Sequence, residues 1–242
     1  MSAMSVNPTP TTDGETKLEN KMDDKITIFG YGSLLSEWSC LRTCKSASNH
    51  RVAVLNGYIR IFNLVSVSQI KNGNARVEKK QIAAVAVQKA DDPSCQCVGV
   101  LFEIDKVNLN DLIQREHRYN ITEEIAYGGD DGTTSVACIV FTASNDEEYK
   151  CKCQKEGNGS GEMYHEIVGQ YYGGSLWGRT DIFPVPKYLN FCCNAASKLT
   201  FRGDPDFAKM NFQDSLLADG KTTVREYMEQ IAAGTFPNGV VD

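Results

Sequence analysis

The chain predicts a mixed α+β fold, a compact unit built on a small, barrel-like, mostly antiparallel sheet flanked by helices. Two observations predict it. Seven β-prone runs, at 25–29, 51–55, 58–63, 82–88, 97–104, 123–127 and 135–143, arrive mostly as neighbours joined by short connections. Such connections favour antiparallel pairing and closure into a small barrel. Helical patterns at 34–44 and 105–117 interrupt the strands, and three more, at 186–199, 205–217 and 223–232, follow them without any internal repeat.

Each element has a local reason. The first strand is apolar and ends abruptly at Gly30-Tyr31-Gly32; Ser33 and a leucine pair then read as the onset of a helix or turn. In the helix that follows, Cys40 and Cys44 are spaced for one face. Gly57, Gly73 and Gly128-Gly129 supply turn chemistry near strand ends. Over 105–117, Asp105 is a candidate cap, and Leu109, Leu112 and Ile113 form an apolar stripe. The stretch 150–161 is rich in Lys, Glu and Gly and reads as an exposed loop; 162–172 is modestly helical and stops at Gly173-Gly174. Leu189, Cys192, Cys193 and Ala196 make one apolar face. The last helix opens with a capping box, Thr223 to Glu226, and is expected to bury Val224, Tyr227, Met228 and Ile231.

Composition narrows the class of function. At 242 residues and 41% hydrophobic content, residues 25–242 suit one medium domain. Residues 1–24 are polar, lack an apolar signal-peptide core and read as a disordered tail. A net charge of -6 without a basic stripe argues against nucleic acid as a partner, and no apolar run is long enough for a membrane. The expected setting is cytoplasmic. Nine cysteines are an odd number and, without an export signal, read as free thiols in a reducing compartment. Cys95-Gln96-Cys97 and Cys151-Lys152-Cys153 are spaced too narrowly for structural zinc, so no metal is expected. Asn120 and Asn158 open glycosylation patterns that would go unused without export. Oligomeric state is left open.

The loop Ile28-Phe29-Gly30-Tyr31-Gly32-Ser33-Leu34-Leu35 carries the first functional signal. A strand that stops at two glycines presents backbone N–H groups in one place, where they can cradle a carboxylate or an oxyanion. It is not a dinucleotide loop, because Leu35 stands where a third small residue is required. Nor does this loop run on into the Gly-Lys-Ser/Thr ending of a mononucleotide loop; the one Gly-Lys-Thr in the chain, at Gly220-Lys221-Thr222, has Ser215 where that motif needs its first glycine. On its own, the segment reads more readily as a structural strand-to-helix turn.

Glu116 carries the second signal. Extending the Leu109, Leu112, Ile113 stripe lands on position 116, where a leucine is expected and a glutamate stands. A carboxylate turned toward a core or cleft loses hydration, its pKa rises, and it can then take and return a proton near neutral pH. Arg115, His117 and Arg118 fall beside or off the stripe and read as solvated. The plain alternative is a helix that ends early and leaves Glu116 exposed.

Phe29-Gly30-Tyr31-Gly32-Ser33-Leu34, followed roughly eighty residues later by Arg115-Glu116, resembles the gamma-glutamylcyclotransferase-like superfamily, including its glutathione-specific branch. Pro186-Lys187-Tyr188 ahead of a Cys- and Ala-rich helix is a third, weaker match. The resemblance spans about residues 25–198 and matches poorly over 144–181, which looks like an insertion near the active-site side. Loops of that kind are often lids or mouths of sites, or surface insertions of no consequence.

It implies a compact mixed α/β fold with a barrel-like sheet. It also implies that Ile28, Phe29, Gly30, Tyr31, Gly32 and Ser33 line the substrate site and that Glu116 is the proton acceptor. Tyr188 is implied as a substrate contact, a role that Tyr164, Tyr171 or Tyr172 could also fill. Leu34, Arg115 and Gly57-Tyr58-Ile59-Arg60 lean toward the glutathione-specific branch, whereas 61–80 lacks that branch's Gly/Pro-rich loop.

The implied reaction turns a γ-glutamyl peptide into 5-oxoproline and a released amine. The protein must hold the substrate side chain folded back on itself, take a proton from the ammonium and stabilise the carbonyl oxygen. That chemistry requires neither a metal nor an organic cofactor, and its partner is a small γ-glutamyl molecule. Two rivals remain. One is a non-catalytic module that binds a small anion or a peptide end. The other is a serine or cysteine hydrolase, for which no G-x-S-x-G elbow exists.

Overall fold

Seven alternating or continuous apolar runs become long strands, and two short pairings complete the sheets. In the computed structural model, which describes residues 25–129 and 132–235, the strands are β1 (Lys25–Gly30), β2 (Ser48–Asn56), β3 (Tyr58–Val65), β4 (Gln81–Lys89), β5 (Gln96–Asp105), β6 (Asn120–Gly128), β7 (Thr134–Thr142), β8 (Phe183–Pro184) and β9 (Leu216–Leu217). The tail expected over 1–24 lies outside the described residues.

Five strands close a barrel in the order β1-β5-β2-β6-β7. All neighbours run antiparallel except at the closure, where β1 meets β7 in parallel through Ile28↔Ile139 and Phe29↔Val140. Closure removes both edges of that sheet. Fully buried Phe29, Leu55, Phe102 and Ile104 belong to one continuous core. The second sheet has the order β8-β4-β3-β9. The β3–β4 pair is antiparallel, and the two-residue strands β8 and β9 add in parallel at its edges. β4 is buried from Gln81 to Val87, and Ala143 N, just past β7, donates to Val87 O at 2.8 Å, joining the two sheets.

The helices are α1 (Glu37–Thr43), α2 (Val67–Lys71), α3 (Leu109–Arg115), α4 (Asp146–Glu156), α5 (Glu162–Tyr164), α6 (Pro186–Ala196), α7 (Phe207–Gln213) and α8 (Val224–Ala232). Several differ from expectation. The predicted 34–44 helix splits into a tight turn, Ser33–Leu35, and α1. The predicted 105–117 helix begins as a turn at Lys106–Asn108 and stops at Arg115, and Asp105 makes no side-chain cap. Leu216 and Leu217, assigned to a helix, form β9 instead. The stretch expected to be a loop from 150 is mostly α4, capped by Asn145, whose side chain accepts from Glu148 N at 2.9 Å.

The capping box of α8 is present as expected: Thr223 N donates to Glu226 Oε2 at 2.7 Å, and Val224 and Tyr227 are buried. No helix among the described residues is long and apolar enough to cross a membrane. The described cysteines are all unpaired, most of them buried.

Candidate active site

β1 delivers the glycine loop. Gly30 ends the strand opposite Val100, and it packs so closely on Gly99 that a Cβ on Gly99 would lie 2.5 Å from Gly30 O. Beyond it the chain turns, with Leu35 N donating to Gly32 O at 3.0 Å. Two buried groups fix the turn from outside. Arg60 of β3, 3% exposed, donates from Nε to Tyr31 O at 2.9 Å and from Nη1 to Asn211 Oδ1 at 2.8 Å. The Tyr31 hydroxyl donates to Phe141 O. A buried cation holding a loop carbonyl is a strong, charge-assisted anchor.

Glu116 is the residue at the end of α3, and its N–H still bonds Leu112 O at 2.9 Å. The early stop does not leave it in solvent: its side chain is 15% accessible and borders two neighbouring cavities. The first is a niche of about 20 Å³ lined by Phe29, Tyr31, Gly32, Ser33, Leu34, Val85, Glu116, Tyr119, Phe141 and Tyr188. That is room for one water-sized group. The second is an open cleft of about 570 Å³, and Ser33, Glu116, Tyr119 and Tyr188 border both.

The structure therefore brings together Phe29, Tyr31, Gly32, Ser33, Glu116 and Tyr188. Ile28 lies in the barrel core, paired with Phe102 and Ile139, and Gly30 shapes the strand end; neither lines the niche. Tyr188 reaches the niche from the first turn of α6, which packs on the Ser33–Leu35 turn. Tyr164 and Tyr172 line a different cavity, and Tyr171 packs under Lys71. The second tyrosine of the niche is Tyr119, whose hydroxyl donates to Val85 O at 2.8 Å. It follows Glu116 closely in the chain and carried no sequence signal of its own.

Arg115 and its neighbours correct the expectation of a solvated run. Arg115 donates to Ser33 Oγ at 2.9 Å, Ser39 O at 2.8 Å, Ser39 Oγ at 2.9 Å and Thr43 Oγ1 at 2.9 Å, and pairs with Glu116 at 3.0 Å. One planar fork thus ties the glycine loop, α1 and the carboxylate together, which lysine could not do. His117 is 6% exposed, held between the Tyr149 hydroxyl at 3.1 Å and Glu156 at 2.6 Å, both on α4. Arg118 lines the cleft. The helix-stripe argument failed for His117 and Arg118 because α3 ends at Arg115, and for Arg115 because its partners, Ser33, Ser39 and Thr43, lie far away in the chain.

The electrostatics follow from burial. Desolvation raises the Glu116 pKa above its ordinary 4.5, and the Arg115 and Arg118 guanidiniums only partly offset it. Burial likewise holds Tyr31, Tyr119 and Tyr188 above the ordinary phenol value, so all three stand as neutral hydroxyls at neutral pH. The Cys192 thiol, beside Tyr188, is pushed up to about 12 by burial and is no nucleophile at neutral pH.

No family model and no curated protein matches this chain. Solved structures do. It is similar to a gamma-glutamyl cyclotransferase at 17% identity and TM-score 0.40, covering 60% of this chain and 86% of that one. A yeast gamma-glutamyl cyclotransferase specific to glutathione aligns at 11% identity and TM-score 0.42, covering 77% and 97% of the two chains. An uncharacterised protein from Homo sapiens aligns at 20% identity and TM-score 0.41, covering 60% and 87%.

Proposed function

We propose that this chain is a gamma-glutamylcyclotransferase that converts a γ-glutamyl peptide to 5-oxoproline and releases the partner amine. The observation that carries the reading is Glu116, a carboxylate with a raised pKa placed where a one-group niche opens into a substrate-sized cleft, next to the glycine loop. A pure binder of small anions has no need of that carboxylate, which would repel its ligand.

The roles follow from the geometry. The niche has space for one oxygen-sized group, a carboxylate oxygen or the γ-carbonyl oxygen. The amides of Gly32 and Ser33 and the neutral hydroxyl of Tyr188 serve as its hydrogen-bond donors. Glu116 takes a proton from the substrate ammonium, freeing the amine to attack its own γ-carbonyl, and returns the proton to the departing nitrogen. The loop and Tyr188 hold the folded rotamer, so the ring closes as an intramolecular reaction. Arg115 is a positioning residue: it touches no reacting atom and fixes Glu116 against Ser33.

Formation of 5-oxoproline by the purified chain is the direct test. Glutathione is expected to be turned over better than γ-glutamylalanine, because contacts to the Cys-Gly portion help hold the γ-glutamyl group in place and truncation then lowers kcat as well as affinity. Matched assays of glutathione, γ-glutamylcysteine and γ-glutamylalanine decide this, and a preference for γ-glutamylalanine would reverse the substrate assignment. Absence of 5-oxoproline from every γ-glutamyl compound would end the cyclotransferase reading.

The positioning role has its own readout. A cation 3.0 Å from the carboxylate favours its charged form. Arg115→Met should therefore raise the Glu116 pKa and move the acid limb of kcat/KM to higher pH, with Arg115→Lys returning it part of the way. An unmoved limb in Arg115→Met would limit Arg115 to a structural role.

A further inference from the structure

The cleft outside the niche carries groups that ring closure of a γ-glutamyl unit does not use. Arg42, Arg118 and Lys187 line it alongside Arg115, against the single carboxylate of Glu116. In a chain of net charge -6 this is a local reversal of sign. Among the described residues, Arg118 Nε is buried without a hydrogen-bond partner, so that one donor is unspent.

The same cleft has an aromatic rim. Trp38 of α1 is 60% exposed, while Trp177, the other tryptophan, is 5% exposed. The Trp38 ring lies 6.4 Å from Phe191 of α6, and the Arg42 guanidinium sits 4.9 Å from its centroid. A large aromatic left in water beside a cation, at the mouth of a cavity of about 570 Å³, has the composition of a ligand contact rather than of an ordinary surface.

We propose that this cleft is a leaving-group subsite for an anionic peptide portion that bears an aromatic substituent. The carboxylate of the leaving portion lies among Arg42, Arg118 and Lys187, and the ring packs on Trp38 and Phe191. The inference rests on the cyclotransferase reading and narrows it to γ-glutamyl peptides whose second residue is aromatic, either as an aromatic amino acid or as a cysteine bearing an arylmethyl group on sulfur. The reaction itself is unchanged. The α-amine nitrogen bonds the γ-carbonyl carbon and the amide C–N bond breaks. Glu116 passes the first proton it takes to the departing nitrogen. The second proton, which the ring nitrogen sheds on becoming the lactam N–H, follows by the same carboxylate. The amine leaves as its ammonium, and no co-reactant is consumed.

The test compares two matched pairs, S-benzylglutathione with glutathione and γ-glutamylphenylalanine with γ-glutamylalanine. Release of 5-oxoproline is measured in the wild-type chain, and affinity is measured by calorimetry in Glu116→Gln. An aromatic contact of this kind is expected to favour the aromatic member by about tenfold. Trp38→Ala should bring that ratio to about one, and Phe191→Ala should reduce it independently. A preference confined to the benzyl pair identifies a cysteine bearing an arylmethyl group on sulfur as the source, and one confined to the phenylalanine pair identifies an aromatic amino acid.

If 5-oxoproline forms but neither pair shows a preference, the subsite is overturned and the cyclotransferase reading stands. If none forms from any compound, the cyclotransferase reading falls and the calorimetric ratio alone judges the cleft. A tenfold ratio lost in Trp38→Ala supports the cleft, and equal affinities overturn it.

Discussion

Glu116→Gln is expected to lower kcat by at least about a hundredfold, the low end for loss of a general base, while leaving the fold intact. Glutamine keeps the shape and one hydrogen-bond acceptor but cannot take a proton. The same substitution has a signed effect on stability. Burial raises the Glu116 pKa above 4.5 in the folded chain, so between 4.5 and the folded value the folded state binds more protons than the unfolded one.

Stability from this group is therefore fully present below 4.5 and is lost as pH rises through the folded pKa. The glutamine side chain never ionises and escapes that loss. The variant should melt above wild type at neutral pH, and the difference should vanish as pH falls below 4.5. Near-wild-type turnover would remove Glu116 from the mechanism. A neutral-pH melt below that of wild type would mean that the Arg115 pair outweighs desolvation.

Gly32→Val is expected to raise KM by about tenfold or more, because even the first carbon of a side chain has no space there. A Cβ on Gly32 would lie 2.7 Å from Val85 Cγ1 and 2.8 Å from the Tyr188 hydroxyl. Valine must therefore push Tyr188 or Val85 away and fill a niche that holds only about 20 Å³. Overpacking of this kind commonly costs about 1–3 kcal/mol of stability, so thermal melts must accompany the kinetics. A variant with unchanged kinetics and an unchanged melt would show that the loop does not bind substrate.

The strand pattern made most of the barrel readable. All seven long strands fall within a few residues of their apolar runs, because period-2 burial and glycine turns are local signals. β8 and β9 were invisible: two residues long, they exist only because β4 and β3 offer them an edge. The same blindness hid α4. Its Lys- and Glu-rich sequence shows no apolar stripe, yet Tyr149 and Cys153 are buried under it.

Of the residues that line the candidate niche, Gly32, Ser33 and Glu116 stood out in the sequence because each breaks a local pattern, a glycine pair at a strand end or a carboxylate in line with an apolar stripe. Arg60, Tyr119 and the reach of Arg115 were not, since a buried arginine or tyrosine looks like any solvated one until its distant partners, Tyr31 O, Val85 O and Ser39, are in place.

The niche also has a history within each folding event. Its floor comes from Gly32 in the first strand's turn, its base from Glu116 much later in the chain, and its wall from Tyr188 later still. The barrel, residues 25–142, is complete in sequence before α6 begins, but β8, β9 and α6 must still return across long separations to dock on β4, β3 and the glycine turn. Such non-local closures form late, since loop entropy must be met before they contribute. During synthesis the barrel can emerge and fold first, so a ribosome-bound nascent chain holds a loop and a carboxylate with no wall between them and solvent. The niche is therefore walled only once α6 has docked on the glycine turn.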